Sequence, residues 1–269
     1  ANPGAADAER FAAYRAAGVN RLSMGVQSFE PTTLATLGRA HDGPTAERAY
    51  DAARRAGFDN VSMDFIYGVH GQREDQVLAD ARRAASLGPE HLSAYALTLD
   101  RASLAEDVPL AKQLARGEVV LPPDETVVRM QRAVMDTFSA AGLARYEISN
   151  YARPGYHSRH NALYWTGGEY LALGAGATGF LKGDAARRYS NHRSAERYLG
   201  DVEHHRAPEA TSEALTRKEL FSERLAMGLR LTSGVDLAQV ARDFGEDLAS
   251  RELTVRHLLS AGLAVRTEG

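Results

Sequence analysis

The chain has 269 residues, of which 44% are hydrophobic and 25% charged, and a formal net charge of −3 with its His neutral. That length suits one large domain or one domain with a smaller companion, and the charge is too balanced to indicate nucleic acid or an anionic membrane as the main partner. No window is apolar enough to cross a bilayer, no targeting peptide opens the chain, and the absence of cysteine excludes disulfides, a thiolate nucleophile and an iron–sulfur cluster held by this chain's own thiolates.

A cytoplasmic protein is the expectation from these numbers. The first residue is Ala1 rather than Met, which reads as a processed, trimmed or partial chain. The first half repeats itself. Ala8 to Ala17, Thr45 to Ala56 and Glu74 to Leu87 carry apolar residues at helical spacing. Each stretch ends on a glycine that suits a helix C-terminus, and each glycine leads into a short apolar run. The copies are Gly18-Val19-Asn20-Arg21-Leu22-Ser23-Met24, Gly57-Phe58-Asp59-Asn60-Val61-Ser62-Met63 and Gly88-Pro89-Glu90-His91-Leu92-Ser93-Ala94. Helix, glycine, strand is the βα unit of a parallel sheet. After an inserted stretch from Arg101 to Pro123 and a helix over Asp124 to Ala141, Gly142 with Tyr146-Glu147-Ile148 reads as a fourth copy. So few units fit a partial α/β barrel lacking its first strands, with a doubly wound open sheet as the alternative.

Both architectures present ligands at the C-terminal ends of the strands. The candidates there are Gln27, Ser28 and Phe29 after the first strand, Asp64, Tyr67, Gly68, His70, Gly71 and Gln72 in and after the second, and Thr98 and Asp100 after the third. Asp64 interrupts the apolar run Val61–Tyr67. A carboxylate in a buried strand requires a partner, so it serves a ligand's hydroxyls, a cation or a buried structural pair.

The second half opens on a region dense in aromatic and hydrogen-bonding residues, Tyr146 to Trp165, which holds the only Trp. This composition suits a pocket for a flat ligand. Within it His160 reads either as a metal ligand or as a hydrogen-bonded structural residue. The spacing Gly174-x-Gly176-x-x-Gly179 matches a dinucleotide fingerprint, but no helix pattern follows it. Thr216 to Leu229, Leu237 to Phe244 and Leu248 to Ala261 read as helices and Leu263 to Arg266 as a strand, together like a winged helix. Glu252 breaks any basic face on the last helix, which argues against DNA. The expected domains are residues 1–150 and 151–269.

These motifs in this order resemble one family. They are Asn2-Pro3-Gly4, Gly25-Val26-Gln27-Ser28-Phe29, Leu37-Gly38-Arg39-Ala40-His41 and Met63-Asp64-Phe65-Ile66-Tyr67-Gly68, then Tyr146 to Ala152, His160-Asn161-Ala162-Leu163-Tyr164-Trp165 and Tyr170 to Ala177. The chain is similar to the radical S-adenosylmethionine (radical SAM) proteins of the oxygen-independent coproporphyrinogen oxidase-like family, and the HNxxYW string resembles the haem-chaperone branch. The resemblance implies a partial (βα)6 barrel followed by a C-terminal helical domain. It implies S-adenosylmethionine held by Gln27, Arg39 and Asp64, and haem bound around His160, Asn161, Tyr164 and Trp165, with His160 as candidate iron ligand. The implied role is passing haem to haem-dependent respiratory enzymes. A porphyrin-forming oxidase and a cluster-free S-adenosylmethionine-binding module are the alternatives. The family's [4Fe–4S] cluster is also implied, but its cysteine motif is absent from this chain. Ala1, His70 and Thr178 stand where the family usually has Glu, Pro and His.

Overall fold

A computed structural model describes residues 1–5, 8–99, 109–182 and 185–267. Asp100 and the first part of the inserted stretch lie outside the described residues. The chain divides into two compact units, Ala1–His157 and Ser158–Gly269.

Unit 1 begins with a 3₁₀ turn at Pro3–Ala5 and continues through α1 (Ala8–Ala16), β1 (Leu22–Gln27), α2 (Pro31–Thr36), α3 (Gly43–Arg55), β2 (Val61–Tyr67), α4 (Glu74–Ser86) and β3 (His91–Ala96). It then adds α5 (Pro109–Ala115), α6 (Asp124–Ala140), β4 (Ala144–Arg145) and β5 (Asn150–Ala152). Gly18, Gly57 and Gly88 all adopt positive φ, at 94°, 86° and 74°. Each ends a helix where a side chain would be strained, which is why the repeat carries glycine there.

The sheet runs β1-β2-β3-β5-β4. The first three strands are parallel, and β5 is antiparallel to both β3 and β4. The fourth repeat is therefore not a fourth parallel strand. Glu147 accepts from the Ser149 amide and the Asn150 side-chain amide, at 2.8 and 2.6 Å. Those bonds reverse the chain after Tyr146 and make a hairpin.

Strand alternation gives the sheet two unlike faces. Leu22, Met24 and Val26 of β1, Val61, Met63, Phe65 and Tyr67 of β2, and Leu92 and Ala94 of β3 join one apolar core with the helices. Phe138 of α6 packs edge-on against Tyr151 at 5.1 Å within it. Each fully buried aliphatic or aromatic side chain there contributes about 1.5–3 kcal/mol. The opposite face carries Ser23, Ser62, Asp64, His91, Ser93 and Tyr95.

Unit 2 comprises α7 (Arg159–Thr166), β6 (Thr178–Leu181), β7 (Arg187–Asn191), α8 (Ala195–Glu203), β8 (Glu209–Ala214), α9 (Arg217–Gly228), α10 (Leu237–Phe244), a 3₁₀ turn at Leu248–Arg251 and α11 (Glu252–Ser260). Its antiparallel sheet, β6-β7-β8, is absent from the sequence reading. Its core is small, built on Phe221, Val240 and Ala241. Thr216 and Glu219 form a capping box at the start of α9. The strand expected at Leu263 to Arg266 does not form. Leu263 and Val265 are 72% and 82% exposed, and a strand needs a partner strand to satisfy its backbone.

Candidate functional site

The polar face of the unit 1 sheet is bonded from side to side. Ser23 donates to both oxygens of Asp64, at 2.9 and 3.1 Å. Burial pushes the Asp64 carboxyl above its ordinary pKa, while hydrogen bonds from Ser93 and Ser23 oppose that rise. Ser62 Oγ and His91 Nδ1 lie 2.8 Å apart, and His91 Nε2 lies 2.8 Å from the Tyr146 hydroxyl. Tyr146 stacks on His157 at 4.1 Å. Burial holds His91 neutral and lowers its pKa to about 3.

Gln27 ends β1 with φ at 67°, an uncommon conformation for a side-chain-bearing residue. A Cβ on Gly25 would meet Gln27 Nε2 at 2.7 Å, so Gly25 leaves the room into which the Gln27 amide folds back. The following loop is anchored by Asp80 of α4, whose carboxylate accepts from Ser28 Oγ at 2.5 Å and from the Phe29 amide at 2.9 Å. Asp80 is 8% exposed, and burial raises its carboxyl's pKa. Sequence reading missed this residue. The signal was available: Asp80 shares a helix face with the buried Val77, Ala81 and Ala84.

Of the three residues expected to hold S-adenosylmethionine, Gln27 and Asp64 lie on adjacent strands, with Gln27 in register with Phe65. Arg39 lies on an exposed turn after α2, and among the described residues no hydrogen bond joins its guanidinium to either. His70 accepts from the Val120 amide at 3.0 Å. Thr98 is exposed beyond β3.

The aromatic stretch forms the short helix α7 in unit 2. Ser158 caps it by accepting from the Asn161 amide, and Gly167 ends it with φ at 67°. His160 and Tyr164, one turn apart, are joined by a 2.8 Å bond between Nε2 and the hydroxyl. Tyr164 and Trp165 border a cavity of about 1100 Å³ that also touches Tyr170, Phe180, Leu220, Met227 and Phe244. His160 and Asn161 do not border it. Tyr164 and Tyr170 rings meet at 4.6 Å, and Tyr170 and Phe180 at 6.1 Å. The Trp165 indole nitrogen is buried and has no hydrogen-bond partner. Arg230 lies over its ring at 4.3 Å. Thr178 bonds Ser190 across the sheet at 2.8 Å.

Among the described residues no group of three or more His, Asp or Glu is placed to hold a metal ion, and the sequence has no cysteine. These residues therefore do not fit a thiolate-bound [4Fe–4S] cluster. The Gly25 cradle and the two serine donors around Asp64 do fit the polar groups of S-adenosylmethionine.

Residues 1–84 match the model of the Radical SAM superfamily and residues 215–269 that of the HemN C-terminal domain. The chain is 34% identical to the heme chaperone HemW of Bacillus subtilis, over 92% of this chain and 63% of that protein. It is 36% identical to the heme chaperone HemW of Mycobacterium tuberculosis H37Rv, over 89% of this chain and 60% of that protein. The structure of coproporphyrinogen III oxidase (HemN) from Escherichia coli shares the fold, with a TM-score of 0.78 at 20% identity, over 99% of this chain and 63% of that one. The chain is thus similar to the radical SAM superfamily over residues 1–84 and to the HemN C-terminal domain over residues 215–269, and the relatives that it matches are named heme chaperones. It spans 60–63% of the length of these curated relatives.

Proposed function

We propose that this chain forms the haem-carrying and S-adenosylmethionine-binding part of a haem chaperone. The observation that carries the reading is the position of the HNxxYW string: α7 sets Tyr164 and Trp165 into the wall of an aromatic cavity of about 1100 Å³. Ligand pockets of about 300–1,000 Å³ hold drug-sized molecules, so this one has room for a tetrapyrrole. The similarity to proteins named heme chaperones supports the same reading.

Haem is cargo in this account. His160 and Tyr164 are the iron-ligand candidates, and their mutual bond means that His160 Nε2 reaches iron only when Tyr164 releases it. Asn161 donates its amide to the α7 cap and acts through the helix. In unit 1, Asp64 and Gln27 hold hydroxyl and amino groups of S-adenosylmethionine. Arg39 grips its carboxylate with parallel hydrogen bonds once its turn closes on the ligand. Bound S-adenosylmethionine supplies radical chemistry only with a cluster, so no catalytic residue is assigned to this chain. The acceptors are haem-dependent respiratory enzymes, met in the cytoplasm.

Titration of the chain with haem tests the proposal through the Soret band and quenching of the single Trp. His160→Ala is expected to shift the spectrum and weaken affinity about tenfold, equivalent to about 1.4 kcal/mol. An unchanged spectrum and affinity would remove His160 from the site, and failure of the unaltered chain to bind haem would end the reading.

A further inference from the structure

The unit 2 cavity is charged at one end of its sheet. Antiparallel pairing puts Leu181 opposite Arg187 and Arg187 opposite Ala214. The residues following β6 and β8 therefore emerge together, beside the start of β7. Lys182 follows β6, Arg217 opens α9 just after β8, and both border the cavity with Arg224 of the same helix. The Leu215 amide donates to the Ala186 carbonyl at 2.8 Å and ties this end shut.

The bordering charges are unequally matched. Arg188 is committed to Glu223 and Glu213, at 2.7 and 3.0 Å. Asp243 accepts from the Gln239 side chain at 2.6 Å. Arg224 donates to the Trp165 carbonyl at 3.3 Å and has no carboxylate partner among the described residues. Neither Lys182 nor Arg217 has a side-chain hydrogen bond or ion pair among the described residues. The cavity thus joins an aromatic wall at Tyr164, Trp165, Tyr170 and Phe180 to three cations that make no ion pair among the described residues.

We infer that Lys182 and Arg217, supported by Arg224, form a carboxylate clamp that makes the cavity specific for a flat, apolar macrocycle bearing two carboxylates. The inference rests on the haem-carrying reading and adds to it the chemical class that the cavity selects. The ring lies against the aromatic wall, and its two acid side chains turn toward the sheet end. Arg217 suits a carboxylate through its planar fork and Lys182 as a point charge. An apolar wall alone would take the ring with neutral or acidic side chains alike, whereas unmatched cations next to a low-dielectric wall favour the diacid.

Metal-free protoporphyrin IX and its dimethyl ester separate this clamp from iron ligation, because neither carries iron. Quenching of Trp165, the only Trp in the chain, reports both. The chain is expected to bind the diacid at least tenfold more tightly than the diester. In Arg217→Gln and Lys182→Gln the diacid is expected to weaken about tenfold per lost contact while the diester is unchanged. The diacid preference is also expected to shrink as salt rises. Equal loss of both porphyrins in either variant, with helix content intact by circular dichroism, would overturn the clamp. So would equal affinity of the unaltered chain for both forms. If the unaltered chain bound neither porphyrin nor haem, the haem-carrying reading itself would fall. Haem binding without diacid preference would sink the clamp alone.

Discussion

The two units solve the same problem in opposite ways. Unit 1 packs one face of its sheet with apolar side chains under helices and uses the other face for hydrogen-bonded polar groups. Unit 2 places Tyr164, Trp165, Tyr170, Phe180 and Phe244 around a cavity, and among the described residues its separate buried cluster is Phe221, Val240 and Ala241. In unit 1 the recognition groups are therefore held by a scaffold that is stable without them. In unit 2 the residues that would stabilise the fold are the ones that line the site, so ligand and stability are coupled.

The sharpest break of this comparison is a core truncation. Phe138→Ala in unit 1 is expected to cost about 3–5 kcal/mol, because the surrounding core cannot collapse into the space. Phe180→Ala in unit 2 should cost less than half as much, since part of its ring already borders empty space and fewer contacts are lost. Denaturant unfolding, with hydrogen exchange resolved by unit, measures both. Equal costs would mean that the cavity is not a packing defect of unit 2. Next in size is the ligand effect. Haem at a hundred times its dissociation constant should raise the opening free energy of unit 2 by about 2.7 kcal/mol and leave unit 1 unchanged. Uniform protection across both units would contradict the division.

Much of this contrast is legible in sequence for unit 1 and little for unit 2. The βα repeat shows because its signals are local: an Ala-rich helix, a glycine with positive φ, and an apolar run. The two-faced sheet is concealed because Val61-Ser62-Met63-Asp64-Phe65-Ile66-Tyr67 alternates by only two polar residues, so the run reads as apolar throughout. The hairpin at Tyr146 to Asn150 depends on one carboxylate, Glu147, closing on the Ser149 amide. The same string otherwise looks like a strand. The cavity is illegible because its borders come from segments as distant as Tyr164 and Phe244. The HNxxYW motif marks one wall of it, and nothing local announces Lys182 and Arg217 as the opposite end. Asp80 was visible as a carboxylate on an apolar helix face and was overlooked because it lies a repeat away from the loop it holds.

A smaller effect separates the units by pH. His91 has an ordinary pKa of 6.5 and about 3 in the fold. Between those values the unfolded chain takes up a proton that the folded one refuses, so unit 1 loses stability as pH falls. From pH 7 to pH 5 the loss is about 2 kcal/mol, at about 1.4 kcal/mol per unit once below the unfolded pKa. Asp64 and Asp80 have raised pKa values and act with the opposite sign, since protonation favours the folded state there. Their slope runs from the ordinary carboxylate range up to their raised pKa values and opposes that of His91, so comparison with a His91 variant isolates the histidine. Unfolding at several pH values, monitored within unit 1, should show this slope and its loss in His91→Gln. A slope that persists in the variant would assign it to another group.

The smallest expected change in stability is the most informative about function. Asp64→Asn removes a buried carboxylate whose burial already disfavours its charge. Asn accepts from one serine through its oxygen and donates to the other's hydroxyl through its amide, so the Ser23 and Ser93 contacts have replacements. The fold should therefore gain about 1 kcal/mol, in the range of one net hydrogen bond. S-adenosylmethionine affinity should fall by more than tenfold, because the negative acceptor for its hydroxyls is gone. Thermal melts and calorimetric titration on the same preparation read the two quantities together. A gain in stability with a loss of affinity identifies Asp64 as a group kept for its ligand at the expense of the fold. A loss of stability with unchanged affinity identifies it instead as the centre of the serine network, and the polar face of unit 1 becomes a structural surface beside an α/β core.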